Sequence, residues 1–218
     1  MEAHTDRKDH LLDIAEELFS ENGFDATSVR ALAERAGMNV AMVSYYFGSK
    51  EKLFEAVIIR KTAYIREKLM LLAGDKSLSA WEKMRELIGN YTERILNDEG
   101  RYHKMMMREL SLRKRTGLSS VIEEKIMTNM NAVYSIVKEG IKKGEFRKDV
   151  DFTLMMSTIF GTLTHSTTSS NLLPRFFEVE KRKPKITKQD YVTLMKKHLE
   201  QLIGRLLLVH PEKFLKKK

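Results

Sequence analysis

The chain has no cysteine, three prolines and no glycine-rich run among its 218 residues. Without cysteine there is no disulfide, no zinc–thiolate site and no thiol nucleophile. Three prolines leave little room for linkers. No stretch approaches the ~20 apolar residues that a membrane span requires. The N-terminus is polar and acidic, not a basic stub followed by an apolar run. The expectation is a soluble cytoplasmic protein with no membrane partner. Also missing are a glycine-flanked serine elbow, a phosphate loop and paired acids at a recognisable spacing. His165, followed by Ser166, Thr167, Thr168, Ser169 and Ser170, reads as a polar helix end, not a hydrolytic centre. No catalytic residue, cofactor or enzyme activity is expected.

What the chain has is positive charge, +9 overall, but unevenly placed. Residues 1–60 hold seven Lys+Arg against eleven Asp+Glu, a balance of −4, so the other 158 residues carry +13. Any nucleic-acid affinity in the first 60 residues must therefore come from a few placed cations and helix N-termini, not from a bulk positive field.

The most informative stretch is Ser28–Leu53, SVRALAERAGMNVAMVSYYFGSKEKL. Val29, Leu32, Ala33 and Ala36 fall at i, i+3, i+4 and i+7, the stripe that one helical face buries. Thr27 or Ser28 can cap its free N–H groups. Gly37 ends the helix, because glycine enters the left-handed conformation without steric cost. Asn39 then caps a second helix, Val40–Phe47. Helices shorter than about 12 residues are marginal in water, so packing must hold this one. Val43 and Phe47 supply an anchoring stripe, leaving Ala41, Met42, Ser44 and Tyr45 on other faces. Small and hydroxylated residues on an open face suit close approach to a major groove. Gly48, Ser49 and Lys50 break and restart the chain.

AERAG, a short helix, then YYFGSKEKLF resembles the signature of the TetR/AcrR family of one-component transcriptional regulators. The resemblance implies a helix-turn-helix reader on a double-stranded DNA operator. It carries DNA contacts to Arg30, Asn39, Val40, Ala41, Met42, Ser44, Tyr45, Tyr46 and Lys50. Tyr45, Tyr46 and Lys50 are expected on phosphates, Arg30 on a base or phosphate, and Val40, Ala41, Met42 and Ser44 at the groove. Partial burial against the supporting helices is the competing role for Tyr46. Many relatives carry lysine at the Val40 position, a polar residue at Met42 and an aromatic at Ser44, so the docking mode carries over while the operator sequence does not.

The rest of the chain reads as helices. Residues 6–22 form an amphipathic helix ended by Asn22 and Gly23, with Arg7 and Lys8 at its start either solvated or on a phosphate. Further helices are expected over Lys50–Leu72, from Ser79 to about Ile95, over Tyr102–Leu112, Ser119–Lys143, Phe152–Thr168 and Asp190–Val209. A basic break separates Arg113 from Gly117. Residues 171–188, with Pro174 and Pro184, read as a mobile loop, and a basic tail follows Pro211. The fold class is all-α, with about nine helices and no strand. Residues 1–54 are assigned to a three-helix helix-turn-helix domain, and 55–218 to a larger helical effector-binding and dimerisation domain. The Lys50–Leu72 helix joins them and is the expected route for movement.

Met105, Met106, Met107, Tyr134 and Phe160 are the candidate lining of an effector pocket, because adaptable sulfur and aromatic surface suit an apolar or amphipathic small molecule. Thioethers with His103 also suit a Cu(I) sensor, but consecutive helical methionines face three directions and cannot all ligate one ion. The family builds a four-helix bundle from its last two helices, so a homodimer through 152–168 and 190–209 is expected. The reading is a ligand-released repressor on a palindromic operator. The alternative is a helical ligand-binding or adaptor protein without DNA binding.

Overall fold

The computed structural model describes residues 2–97, 100–112, 116–179 and 186–214. Those residues form α1 (Glu2–Ala26), α2 (Val29–Arg35), α3 (Val40–Phe47), α4 (Lys50–Gly74), α5 (Ala80–Leu96), α6 (Gly100–Leu112), α7 (Thr116–Lys142), α8 (Phe152–Thr168), α9 (Leu173–Val179), α10 (Lys188–Leu207) and α11 (Pro211–Phe214). The only extended pairing among them is an isolated antiparallel bridge between Phe146 and Leu208. Eleven helices replace the expected nine. One addition, α9, lies inside the stretch read as a loop, because a proline in the first turn of a helix forfeits a hydrogen bond it would not make anyway. The other, α11, begins at Pro211, the residue read as a stop. Residues 180–185, Arg113–Arg115 and the 215–218 tail lie outside the described residues.

Local signals set most boundaries. Gly23 leaves helical conformation inside α1 at φ 80°, as the Asn22-Gly23 stop requires. Ser79 and Glu82 form a reciprocal capping box at the start of α5, as do Thr187 and Asp190 at α10. Asp151 caps α8 through the Leu154 N–H at 2.9 Å.

The chain packs as two compact units, residues 1–67 with 101–129, and residues 68–100 with 130–218. In the first, Leu11, Phe19, Phe24, Leu32, Val43, Leu53, Phe54 and Val57 are buried together with Tyr102, Met105 and Met106 of α6 and Ile122 of α7. Phe19, Phe24 and Phe54 form an aromatic triad with ring centroids 5.0–5.7 Å apart. Arg108 of α6 lies over Gly23, where a Cβ would come 2.7 Å from its Nη1.

In the second unit α5 packs against α8 and α10 around Trp81, Met84, Ile88, Met155, Ile159, Leu199 and Ile203. Its one buried charge among the described residues is answered: the Lys83 ammonium donates to Glu139 Oε2 at 2.8 Å and to the Ala73 carbonyl at 3.0 Å. Hydrogen bonds from Lys143 and Lys83 hold the Glu139 carboxyl below its usual range. The turn after α7 is a second anchor. Its Glu145 carboxylate accepts from the Ala80 and Trp81 N–H groups, and its backbone pairs with Leu207 and Val209. Phe146, fully buried, fills the space above Gly140.

A Cβ at Gly140 would fall within the Phe146 ring, against Cγ, Cδ2 and Cε2. Gly140→Ala should therefore lower unfolding free energy by about 1–3 kcal/mol despite alanine's better helix propensity, because overpacking outweighs a gain below about 1 kcal/mol. Urea denaturation measures it; a variant as stable as the wild type would refute this packing.

Candidate nucleic-acid interface

Two short helices and a turn make the site, and each is fixed by a local device. Ser28, not Thr27, caps α2: its Oγ accepts from the Ala31 N–H at 3.0 Å. Leu32 and Ala33 bury the inner face. Gly37 turns at φ 65°, and the Met38 N–H returns to the Ala33 carbonyl at 2.8 Å, closing the helix end. Asn39 Oδ1 then accepts from the Met42 N–H at 2.8 Å and starts α3. Val43 is the buried anchor of α3, with Phe47 packed half-buried against the same core. Gly48 ends the helix at φ 80°.

Thr27 has a different task. It is buried, and its hydroxyl donates to the Gly23 carbonyl at 2.7 Å, with Leu18 O at 3.2 Å. Its own carbonyl, and that of Phe24, accept from the Lys50 ammonium at 2.9 and 3.0 Å. The same ammonium lies 4.2 Å from the Phe24 ring centroid. Lys50, expected on a phosphate, thus directs two of its three N–H donors inward, at the chain between α1 and α2.

The face of α3 turned to solvent holds Val40, Ala41, Ser44 and Tyr45, with Met42 and Tyr46 half-buried beside it. At 100° per residue those four span an arc of about 140°, one continuous strip. Tyr45 is 74% exposed and meets Tyr46 edge to face at 5.5 Å. Tyr46 also packs on the reader's core, the burial weighed for it from sequence. Arg30 and Asn39 are exposed at the first turn of α2 and the cap of α3. Lys8 of α1 lies 5.4 Å from the Phe47 ring centroid, at the far end of α3.

Three carboxylates of α1 are paired with cations of α2 and α4. Glu17 meets Arg35 at 2.9 Å, Asp13 and Glu16 meet Arg60 at 2.7 and 3.3 Å, and Glu16 meets Lys61 at 2.7 Å. Such exposed pairs stabilise little individually, but they tie α1 to α2 and α4 and neutralise carboxylates locally.

The five candidate pocket residues are divided between the two units. Met105 and Met106 are buried in the first unit's core, and Met107 packs on it. Tyr134 and Phe160 belong to the second unit, Tyr134 beside Phe152 at 4.9 Å and Phe160 edge-on to Tyr91 at 5.6 Å. Sequence reasoning missed the buried Thr27 hydroxyl, the inward Lys50 and Arg108 over Gly23. No periodicity announces a side chain whose partner is a distant carbonyl.

The family model described as bacterial regulatory proteins, tetR family, matches residues 11–57, and that for the YsiA-like protein C-terminal region matches 65–189. The fatty acid metabolism regulator protein of Bacillus subtilis (strain 168) is 26% identical over 160 residues, 73% of this chain and 80% of that protein. The HTH-type transcriptional repressor KstR2 of Mycolicibacterium smegmatis is 27% identical over 158 residues, 72% and 75% of the two chains. Among solved structures, the transcriptional regulator FadR from Bacillus subtilis in complex with stearoyl-CoA superposes with a TM-score of 0.66 at 25% identity, over 89% of this chain and 96% of that one.

Two variants separate the devices that hold α3. Asn39→Ala should cost about 1 kcal/mol, the usual value of an N-cap. Lys50→Ala should cost more, about 1.5–3 kcal/mol, because it strips a charged donor from two carbonyls and a cation from an aromatic face. Denaturant melts should rank them in that order. Equal, negligible losses would mean that Lys50 does not hold the reader.

Proposed function

The chain belongs to the TetR family of bacterial regulatory proteins, DNA-binding repressors that act as dimers and respond to ligands, and from that premise we propose the residues by which it reads DNA and the class of effector that releases it. The observation that carries the reading is the solvent-facing strip of α3, capped by Asn39 and anchored by Val43, inside the segment that matches the family.

In this reading α3 enters the major groove. Ala41 and Ser44 meet base edges, with Val40 and Met42 against thymine methyls. Tyr45 and Tyr46 donate hydroxyls to phosphates, and Arg30 and the Asn39 turn fix the register. Lys50 has one N–H beyond the two used at home, and that one goes to phosphate. The operator is palindromic, its half-sites about 34–36 Å apart or a multiple of that, so two readers must be held by a symmetric dimer. We assign that contact to α8 and α10, which leave Leu154, Leu194 and Leu206 exposed at 64%, 42% and 43%.

The effector we propose is a long-chain acyl thioester. The support is the fatty acid regulator relative and the superposable FadR structure that holds stearoyl-CoA. Tyr134 and Phe160 are its candidate contacts in the second unit. Met105, Met106 and Met107 pack in the reader's own core, where a ligand that displaced them would act on the reader directly. The setting is the cytoplasm, where operator DNA lies; no helix of the described residues is long and apolar enough to cross a membrane.

Three measurements test these assignments. Replacing Ser44 should change which operator sequence is preferred, whereas Lys50→Ala should weaken folded protein on all sequences and reduce the salt slope by about one. Unchanged salt dependence would remove Lys50 from the phosphate contacts. Leu206→Glu should drive sedimentation toward the monomer or unfold the chain, since a charge at an apolar seam costs several kcal/mol; an intact dimer would move the interface elsewhere. Stearoyl-CoA, titrated by calorimetry with and without operator, should bind less tightly to the DNA complex, by the factor by which it lowers operator affinity. Equal affinities would show that it is not the inducer.

A further inference from the structure

Two donors in the second unit are sealed from water and have no hydrogen-bond partner among the described residues: Trp81 Nε1 and Thr92 Oγ1, both on α5. Trp81 is 1% exposed and Thr92 0%. Three buried hydroxyl side chains of the described helices bend back to a carbonyl three or four residues earlier, Thr62 to Ile58, Ser166 to Thr162 and Thr167 to Thr164, whereas Thr92 Oγ1, like Ser20 Oγ of α1, does not. Thr92 makes no such bond to Ile88 or Gly89. A buried donor left unbonded forfeits the water it had in the unfolded chain, and proteins keep few of them without a reason.

The two donors share one face. Eleven residues separate them, three turns and about 20° of rotation, so they stand about 16 Å apart along the axis of α5. Ile88 lies on the line between them and Met84 beside it, both buried in the unit's apolar cluster. The face thus reads donor, apolar body, donor. It is turned to the core, and α5 packs there against α8 and α10.

We propose that the effector carries a hydrogen-bond acceptor at each end of an extended apolar body, one received by Trp81 Nε1 and the other by Thr92 Oγ1. This rests on the reading of the effector as an acyl thioester and narrows it: the thioester carbonyl is one acceptor, and an oxygen at the far end of the chain is the second. Entry parts α5 from its neighbours and exchanges apolar contacts within the chain for apolar contacts with the ligand. Those terms nearly cancel. What remains is the satisfaction of two donors that the closed core leaves unmet, which favours an acyl chain oxygenated at its ω end over a plain one.

The probes are lauroyl-CoA and ω-hydroxylauroyl-CoA, titrated calorimetrically against the full chain, with emission of Trp81, its one tryptophan, as a local report. The ω-hydroxy probe should bind about tenfold tighter, the effect of one neutral hydrogen bond, and should shift Trp81 emission. Of Thr92→Val and Trp81→Phe, one should erase that preference and the other should weaken both probes alike. Without ligand, Thr92→Val should melt no lower than the wild type, since it removes an unbonded hydroxyl and keeps the volume. If both probes bind equally and the variants change neither, the two-ended acceptor is wrong while the acyl thioester reading stands. A clear fall in the melting temperature of Thr92→Val would also overturn it, by showing that the hydroxyl is bonded at home. If lauroyl-CoA, its ω-hydroxy form and stearoyl-CoA all fail to bind, the acyl thioester reading falls and takes this inference with it.

Discussion

A recognition helix of eight residues makes too few internal hydrogen bonds to persist alone, so α3 depends on what fixes the chain on either side of it. The Lys50 ammonium is one such support, bonding the Phe24 and Thr27 carbonyls and lying over the Phe24 ring. That one cation joins the start of α4 to the link between α1 and α2. The Thr27 hydroxyl on Gly23 and the Phe19, Phe24 and Phe54 triad close the same region from within. With the supports fixed, Val43 needs only to seat α3, and its other face is free to vary.

The second unit repeats the device. Lys83 is buried, and its ammonium accepts no compromise with water: it takes the Ala73 carbonyl and the Glu139 carboxylate. Each end of α4 is therefore tied by a lysine to backbone carbonyl oxygen: Lys50, its first residue, bonds those of Phe24 and Thr27, and Lys83 bonds that of Ala73 in its last turn. A charge so placed is specific because removing it leaves carbonyls without a donor, whereas a methylene in the same place would stabilise by packing alone. Glu145 does the converse work, offering its carboxylate to the first N–H groups of α5, where the helix dipole also favours it.

Three carboxylates of α1, Asp13, Glu16 and Glu17, are paired with Arg35, Arg60 and Lys61, but pairing leaves the balance of −4 over the first 60 residues unchanged. The α3 strip itself is nearly uncharged, and its affinity must come from hydroxyls, helix ends and a few cations, the kind of binding that a modest change in geometry can switch off. For a repressor released by a ligand that is an advantage: an energetic coupling of about 1–3 kcal/mol already changes operator affinity 5–150-fold.

Sequence alone determined the reader. Its stripe of Val29, Leu32, Ala33 and Ala36, the glycines at 37 and 48, a cap at Thr27 or Ser28 and one at Asn39 act within a few residues of one another, so their consequences are written in spacing. The caps of α5 and α8, Ser79 and Asp151, act over the same short range. Sequence could not show that Lys50 turns inward, that Thr27 is buried rather than a cap, or that Met105 and Met106 belong to the reader's core instead of standing with Tyr134 and Phe160. Those facts join residues dozens of positions apart, and long-range contact has no period to read. The short helix α9 was hidden by Pro174, a signal that fits a loop and a helix's first turn equally well. Tertiary structure also decided what composition could only count. A hydroxyl or an indole on a helix becomes meaningful once packing removes it from water, as it does for Thr92 and Trp81.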